Sequence, residues 1–201
     1  GEVTVLTLGP AEAQEQLRTA VSTGAVKAVL VPIDTTDWDP QRTAQAIATV
    51  ITELEATNGK YDLILFGNES ADSCGYQVGI RAALKLDRPI VNGAKGLDIE
   101  NSVAVIRRES DAGVEIYKLK TPACVGVKEG INLPRYPTMK GRLASKKVEI
   151  TQSTASGEVG GLKLIMLRRT PERASNTKIL GNGPEAASAV VDLLEELGVF
   201  K

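Results

Sequence analysis

The sequence predicts an α/β fold: a doubly wound, mostly parallel sheet with an added β-hairpin and a C-terminal extension. Three observations carry that reading. The first half alternates short apolar runs with helix-period segments three times over. The apolar runs are near-continuous rather than alternating, the pattern of strands buried on both faces. Glycine, proline and asparagine fall between the segments, where turns need them. Crossovers of this kind are right-handed almost without exception, which winds the sheet both ways.

Residues 3–8, VTVLTL, are rich in β-branched side chains and stop at Gly9-Pro10, giving the first strand. Ala13, Leu17, Ala20, Val21 and Gly24 then recur at helical spacing, with Glu12 and Glu15 near the helix start. Residues 26–31 form a second apolar strand. Ala44, Ile47, Val50, Ile51 and Leu54 mark a second helix, stopped by Asn58-Gly59. A third strand at 63–66 and a third helix at 78–86 complete the alternation. After Pro89 the texture changes. Residues 103–106 and 114–119 read as an antiparallel hairpin joined by residues 107–113, followed by a strand at 123–127. Residues 132–137, NLPRYP, are not helical, because each proline disfavours helix in the residue before it. Residues 151–161 are polar, 162–167 offer one more strand, and a closing helix carries Ala187, Val190, Val191, Leu194 and Leu197 on one face before Gly198. Two regions result: residues 1–150 as the α/β domain, and 151–201 as an arm and helix that pack on a partner or on the core.

Composition narrows the function. The 201 residues suffice for one substantial core, which must be aliphatic because aromatics make up only 3%. A formal charge of −1 argues against binding nucleic acid by general phosphate attraction. No apolar run approaches the ~20 residues that span a bilayer, and no secretory leader is visible at the start. The chain has no histidine, so the usual general base, triad partner and metal ligand are missing. Cys74 and Cys124 lie too far apart in sequence for a CxxC or zinc cluster, and free thiols suit a reducing cytosol or organelle matrix. Hydrolytic and metal-dependent catalysis are disfavoured, and no catalytic residue is assigned.

The most unusual segment is GNESADSCGYQVG, residues 67–79, far longer than most strand-to-helix connections. In doubly wound sheets, ligands sit beyond the carboxyl ends of the strands. This loop leaves the third strand at that edge and enters a helix whose N-terminal amides favour an anion. Gly67, Gly75 and Gly79 allow close backbone approach, while Asn68, Ser70, Asp72, Ser73 and Gln77 supply polar contacts. The loop matches neither a P-loop nor GxGxxG. Two readings stand on residues alone: a nucleotide pocket, or a structural Gly/Ser-rich turn.

Four segments resemble the beta subunit of electron transfer flavoprotein, in that family's order and spacing. They are the loop at 67–79, RRESDAGVEIYKLKTPACV at 107–125, NLPRYPTMKGRLASKK at 132–147 and LTLGPAEAQEQLRTAVSTGA at 6–25. The final helix ending in EELG is similar too. The resemblance implies a Rossmann-like fold of adenine-nucleotide-binding type. It also implies a heterodimer with an alpha subunit that carries most of the FAD, and an electron carrier rather than an enzyme. Electrons would pass from flavin dehydrogenases to a downstream acceptor, in the cytoplasm of a bacterium or the mitochondrial matrix of a eukaryote. This subunit would hold AMP, or a second FAD in electron-bifurcating members. Carried over residue by residue, the nucleotide lies against Leu8, Gly9 and Gly67. It is gripped by Ser70, Ala71, Asp72, Ser73, Cys74, Gly75, Tyr76, Gln77, Val78, Gly79, Ile80 and Arg81. Arg81 either turns inward or is a solvated helix charge. Met139 sits where the family places the apolar anchor that enters a pocket on the dehydrogenase, the alternative being ordinary core. Pro137 and Lys140 flank it, and Arg142, Lys146 and Lys147 extend a basic rim that either steers an acidic partner or is a solvated face. Glu109 takes the position whose carboxylate meets an arginine of the mobile flavin domain, or is plain surface.

Three departures stand out. Family members usually begin with a further strand and a helix bearing an NPxDE-like motif, ahead of the strand that starts here at Val3. Without them part of the nucleotide site and one strand neighbour are expected to be missing. The loop reads ADSCG, and it lacks the DGDTAQVG of bifurcating members although Gln77, Val78 and Gly79 agree, which favours AMP or no nucleotide over a second FAD. Ala112 and Tyr117 break the DGG hairpin signature. The rival expectation is a free-standing adenine-nucleotide sensor, which needs no exposed apolar anchor.

Overall fold

The computed structural model describes residues 1–34, 38–70, 75–154, 157–158, 160–172 and 177–199. The chain forms two compact units, Gly1–Ile165 and Met166–Lys201.

In the first unit, β1 (Thr4–Gly9) leads through a short 3-10 turn, Ala11–Ala13, into α1 (Gln14–Thr23). Then come β2 (Lys27–Pro32), α2 (Pro40–Asn58), β3 (Leu63–Gly67) and α3 (Val78–Lys85). The alternation read from the sequence is therefore present. Next are β4 (Ile90–Glu100), β5 (Val103–Ser110), β6 (Gly113–Lys120) and β7 (Ala123–Val127). The unit ends with α4 (Met139–Lys147) and β8 (Ile150–Gln152). The strands fall into two ladders, β1-β2-β8 and β3-β7-β4-β5-β6. The first is parallel throughout, the second parallel from β3 to β4 and antiparallel from β4 to β6. This is the mixed, mostly parallel α/β architecture expected.

Strand β2 shows why both faces are covered. Successive side chains point to opposite faces. Ala28 and Leu30 pack on Leu17 and Val21 of α1, while Val29 and Val31 pack on Val50 of α2. The next residue of α2, Ile51, turns to the other ladder, where it meets Ile64 of β3, Ala83 of α3 and Cys124 of β7. One helix thus seals both ladders. Asp39 caps its start: the carboxylate accepts from the Arg42 amide at 2.8 Å, and Pro40 occupies the first turn, where no amide hydrogen is needed. At the other end, Glu55 accepts from Arg88 at 2.5 Å and from the Tyr61 amide at 3.0 Å. Arg88 also donates to the Tyr61 carbonyl at 3.2 Å. Both charged side chains are nearly buried, so each relies on the other.

Several expectations are corrected. The long strand β4 was not foreseen, because Asn92, Gly93, Lys95 and Gly96 interrupt its apolar pattern; the structure absorbs them in a bulge, with Gly93 at φ +77°. The hairpin connection expected at 107–113 is mostly strand, since the ladder runs on to Ser110↔Gly113 and leaves only Asp111 and Ala112 in the turn. Thr151 and Gln152, read as polar loop, belong to β8 because β2 offers them a free edge. The strand offered at 162–167 does not form: among the described residues no ladder includes it, and its side chains are exposed. Helix α4 was not foreseen either, since the prolines before it hid its start. Cys124 is a free, fully buried thiol whose pKa burial pushes up to about 11, while Cys74 lies outside the described residues. The second unit holds a 3-10 turn, Pro184–Ala186, and α5 (Ala187–Glu196), the closing helix expected, with Gly198 past its end at φ +70°. No described helix is long and apolar enough to cross a membrane.

Two outcomes follow. Arg88→Ala strands a carboxylate in a nearly closed site and is expected to cost about 3–5 kcal/mol in urea unfolding, whereas replacing Arg88 and Glu55 together by apolar residues recovers most of it. Asp39→Ala should cost about 1 kcal/mol as a lost cap. The Asp39 carboxyl is held below its ordinary value first by the Arg42 amide, with burial opposing. Its contribution is therefore complete above the ordinary carboxylate value and disappears as pH falls through the lowered one, which acid titration of both proteins would reveal.

Candidate functional site

The candidate loop begins where β3 ends. Gly67 does not need to be glycine for its own conformation, since its φ is not positive. Nor does any described atom lie within 4 Å of where its Cβ would stand. The carbonyl oxygen of the next side chain, Asn68 Oδ1, is buried without a hydrogen-bond partner among the described residues. A buried acceptor of this kind costs free energy unless a donor reaches it. Ser70 Oγ accepts from the Gly75 amide at 3.1 Å and closes the neck of the loop. Ala71, Asp72, Ser73 and Cys74, between them, lie outside the described residues.

Beyond the loop, Gln77 caps α3, Val78 opens it, and Tyr76, Ile80 and Arg81 are exposed. Gly79 has a packing reason: a Cβ there would stand 3.0 Å from the Phe66 ring, so glycine lets the first turn of α3 lie on β3. Arg81 Nε donates to Gln77 Oε1 at 3.0 Å, and its charge also helps lower Asp39. Helices α2 and α3 pack on each other, and both start at the carboxyl ends of the strands. Leu8 and Gly9 end β1 at the same edge. Gly9 accepts from the Ile33 amide at 3.0 Å, and its own Cβ would press on Ala13. A cavity of about 490 Å³, lined by Thr4, Val26, Leu54, Tyr61 and Val148 among others, opens instead at the amino ends of β1 and β2. It has no part in this edge.

Sequence reasoning missed a cluster on the hairpin. Arg108 donates to Glu115 at 2.7 Å and to the Tyr117 hydroxyl at 2.5 Å, and its guanidinium lies over the Tyr117 ring. Its hydrogen bond to Glu115, ahead of opposing desolvation, raises the Arg108 pKa, and the same bond lowers Glu115. Tyr76 of the loop is close enough to act on Arg108 as well. The legible signal was register: 108 and 115 are cross-strand partners once the short turn is known. Tyr117, a departure from the family signature, thus has a local use.

Met139 is the first residue of α4. Thr138 caps it, accepting from the Gly141 amide at 3.0 Å. Met139 is 73% exposed and Leu143, one turn on, 58% exposed. Lys140, Arg142, Lys146 and Lys147 surround the pair, all exposed, and Pro137 is half-buried just before the cap. Leu143 was not singled out in the sequence because the helix that puts it beside Met139 was not recognised. Glu109 is exposed on β5, opposite Val114.

Comparison with known proteins agrees across the chain. The family model described as "Electron transfer flavoprotein domain" matches residues 1–157. The chain is 36% identical to the electron transfer flavoprotein subunit beta of Mycobacterium leprae (strain TN), over 91% of this chain and 71% of that protein. It is 31% identical to the subunit beta of Thermoanaerobacterium thermosaccharolyticum over 100% of this chain and 80% of that one. The Bos taurus subunit beta is 30% identical over 98% and 76% respectively. With these matches spread over the loop edge, the hairpin and α4 alike, the chain belongs to the electron transfer flavoprotein beta-subunit family.

Proposed function

We propose that this chain pairs with an electron transfer flavoprotein alpha subunit, binds AMP at the loop after β3, and docks flavin dehydrogenases through α4. Electrons would travel through flavin held mainly by the alpha subunit to a downstream acceptor. The chain itself contributes binding and orientation rather than chemistry. The observation that carries the nucleotide assignment is that, among the described residues, Asn68 Oδ1 is buried without a hydrogen-bond partner and nothing fills the space a Cβ would take at Gly67. A hydroxyl or amino donor of a nucleotide would satisfy that oxygen. The amides at the start of α3 suit its phosphate. Ser70, Gly75 and Gln77 would hold it from the loop, with Leu8 and Gly9 against its other side.

Docking rests on a different observation. Burying a methionine is favourable by roughly 1.5–3 kcal/mol, yet Met139 stands in solvent. Methionine is polarizable and flexible, and it fits pockets of varied shape. The basic side chains around it would draw an acidic rim on the dehydrogenase, and Glu109 would meet a cation of the flavin-bearing domain. An exposed apolar anchor supports a carrier subunit over a free-standing nucleotide sensor. The apolar side chains of α5, with Val190, Val191, Leu193 and Leu197 exposed, suit the alpha subunit. The compartment that follows is the bacterial cytoplasm, or the mitochondrial matrix in a eukaryote.

The chain purified alone is expected to be colourless, and co-expression with an alpha subunit to give a yellow complex holding about one flavin per heterodimer. About two flavins would identify a second FAD in place of AMP, and none would remove the carrier assignment. Met139→Ala should raise the KM for the heterodimer in a dehydrogenase assay roughly tenfold while the nucleotide released on denaturation stays the same. Equal loss of both would count against docking.

A further inference from the structure

Helix α4 packs the wrong way round for an amphipathic helix. With 3.6 residues per turn, positions 139 and 143 share one face, and 141 lies roughly 160° away from both. The face that meets the body of the protein carries Gly141 and the buried Ser145, both small. The face that meets solvent carries Met139 and Leu143. Left to the hydrophobic effect, the helix would roll to bury its large apolar side chains. Something specific opposes that.

Two contacts with α1 supply the opposition. At the first turn of α4, Gly141 lies so close to the Ser22 carbonyl that a Cβ would collide with it. At the other end, Arg18 NH1 donates to the Ser145 carbonyl at 2.7 Å and the Val148 carbonyl at 3.4 Å. Among the described residues no backbone amide caps the end of α4; the guanidinium takes the place of a C-cap and complements the negative end of the helix dipole. Arg18 is itself half-buried, four residues from Ser22 on the same helix.

We propose that Arg18 and Gly141 form a latch that fixes the rotation of α4 and holds Met139 and Leu143 outward as a docking pair. They are positioning residues: neither has to touch the partner. Residues 139–148 contain four cations and no acid, so the partner that fits is a protein with an apolar pocket rimmed by carboxylates. This identity rests on the docking role proposed above; the latch does not.

The test uses the full chain in its complex with the alpha subunit. Gly141→Ala pushes α4 off α1, and Arg18→Gln removes the cap without adding bulk. Thermal melting identifies any variant that fails to fold, and Arg18→Lys, which keeps a donor for Ser145, serves as the rescue. Oxidation of Met139 by hydrogen peroxide, followed by peptide mass, reads helix rotation without any partner, because oxidation tracks exposure. The latch predicts Met139 oxidation slowed about threefold in Gly141→Ala and Arg18→Gln and restored in Arg18→Lys. It also predicts a dehydrogenase KM raised roughly tenfold with kcat retained. Slowed oxidation with an unchanged KM would uphold the latch and remove the docking role. An unchanged oxidation rate in the folded variants would overturn the latch, whatever happens to KM.

Discussion

The two ladders of the first unit are held over one helix. Val50 of α2 closes the core of β2, and Ile51 beside it closes the core of β3, α3 and β7. A parallel ladder needs cover on both faces, and here a single helix supplies part of that cover for each. The helix cannot shift along its axis to suit one ladder without opening the other. Its ends are fixed accordingly: Asp39 holds the first turn, and Glu55, clamped between Arg88 and Tyr61, holds the last. A buried ion pair adds little net stability over well-packed apolar residues, but a broken one is costly. Its effect at this point is to permit one register of helix on sheet.

That register determines what happens at the carboxyl ends of the strands. Helices α2 and α3 both start there and pack on each other. Gly79 brings the first turn of α3 down on the Phe66 ring of β3. The side-chain carbonyl of Asn68, without a hydrogen-bond partner among the described residues, lies just past the end of β3. At α1 the same economy of small residues recurs, with Gly141 of α4 set against the backbone of Ser22. In both places a glycine lets a helix lie close on its neighbour, Phe66 of β3 in one and the Ser22 carbonyl of α1 in the other.

The hairpin shows how a departure from a family pattern finds its own balance. Tyr117 gives Arg108 both a ring to lie on and a hydroxyl to donate to, while Glu115 offsets its charge. These groups are partly exposed, and pairs of that kind are worth little individually. Together they order the side chains of β5 and β6 on one face of the hairpin.

The sequence by itself determined the strand and helix alternation up to α3, because continuous apolar strands and helix-period segments encode burial directly. It also marked the loop at 67–79, since glycine and short polar residues in that number are not needed for a turn, and it marked Met139 through its family position. Tertiary structure decided the rest. Strand β4 is continuous only because β5 and β7 pair with it across a bulge, and residues 162–167, equally apolar, remain without a ladder. Helix α4 follows directly on the proline-rich, non-helical 132–137, and it meets α1, more than a hundred residues earlier in the chain, through Gly141 against the Ser22 carbonyl and through Arg18 of α1 on the Ser145 carbonyl. Local pattern records which side chains prefer burial. Which of them obtain it depends on contacts between residues far apart in sequence, and periodicity does not record those.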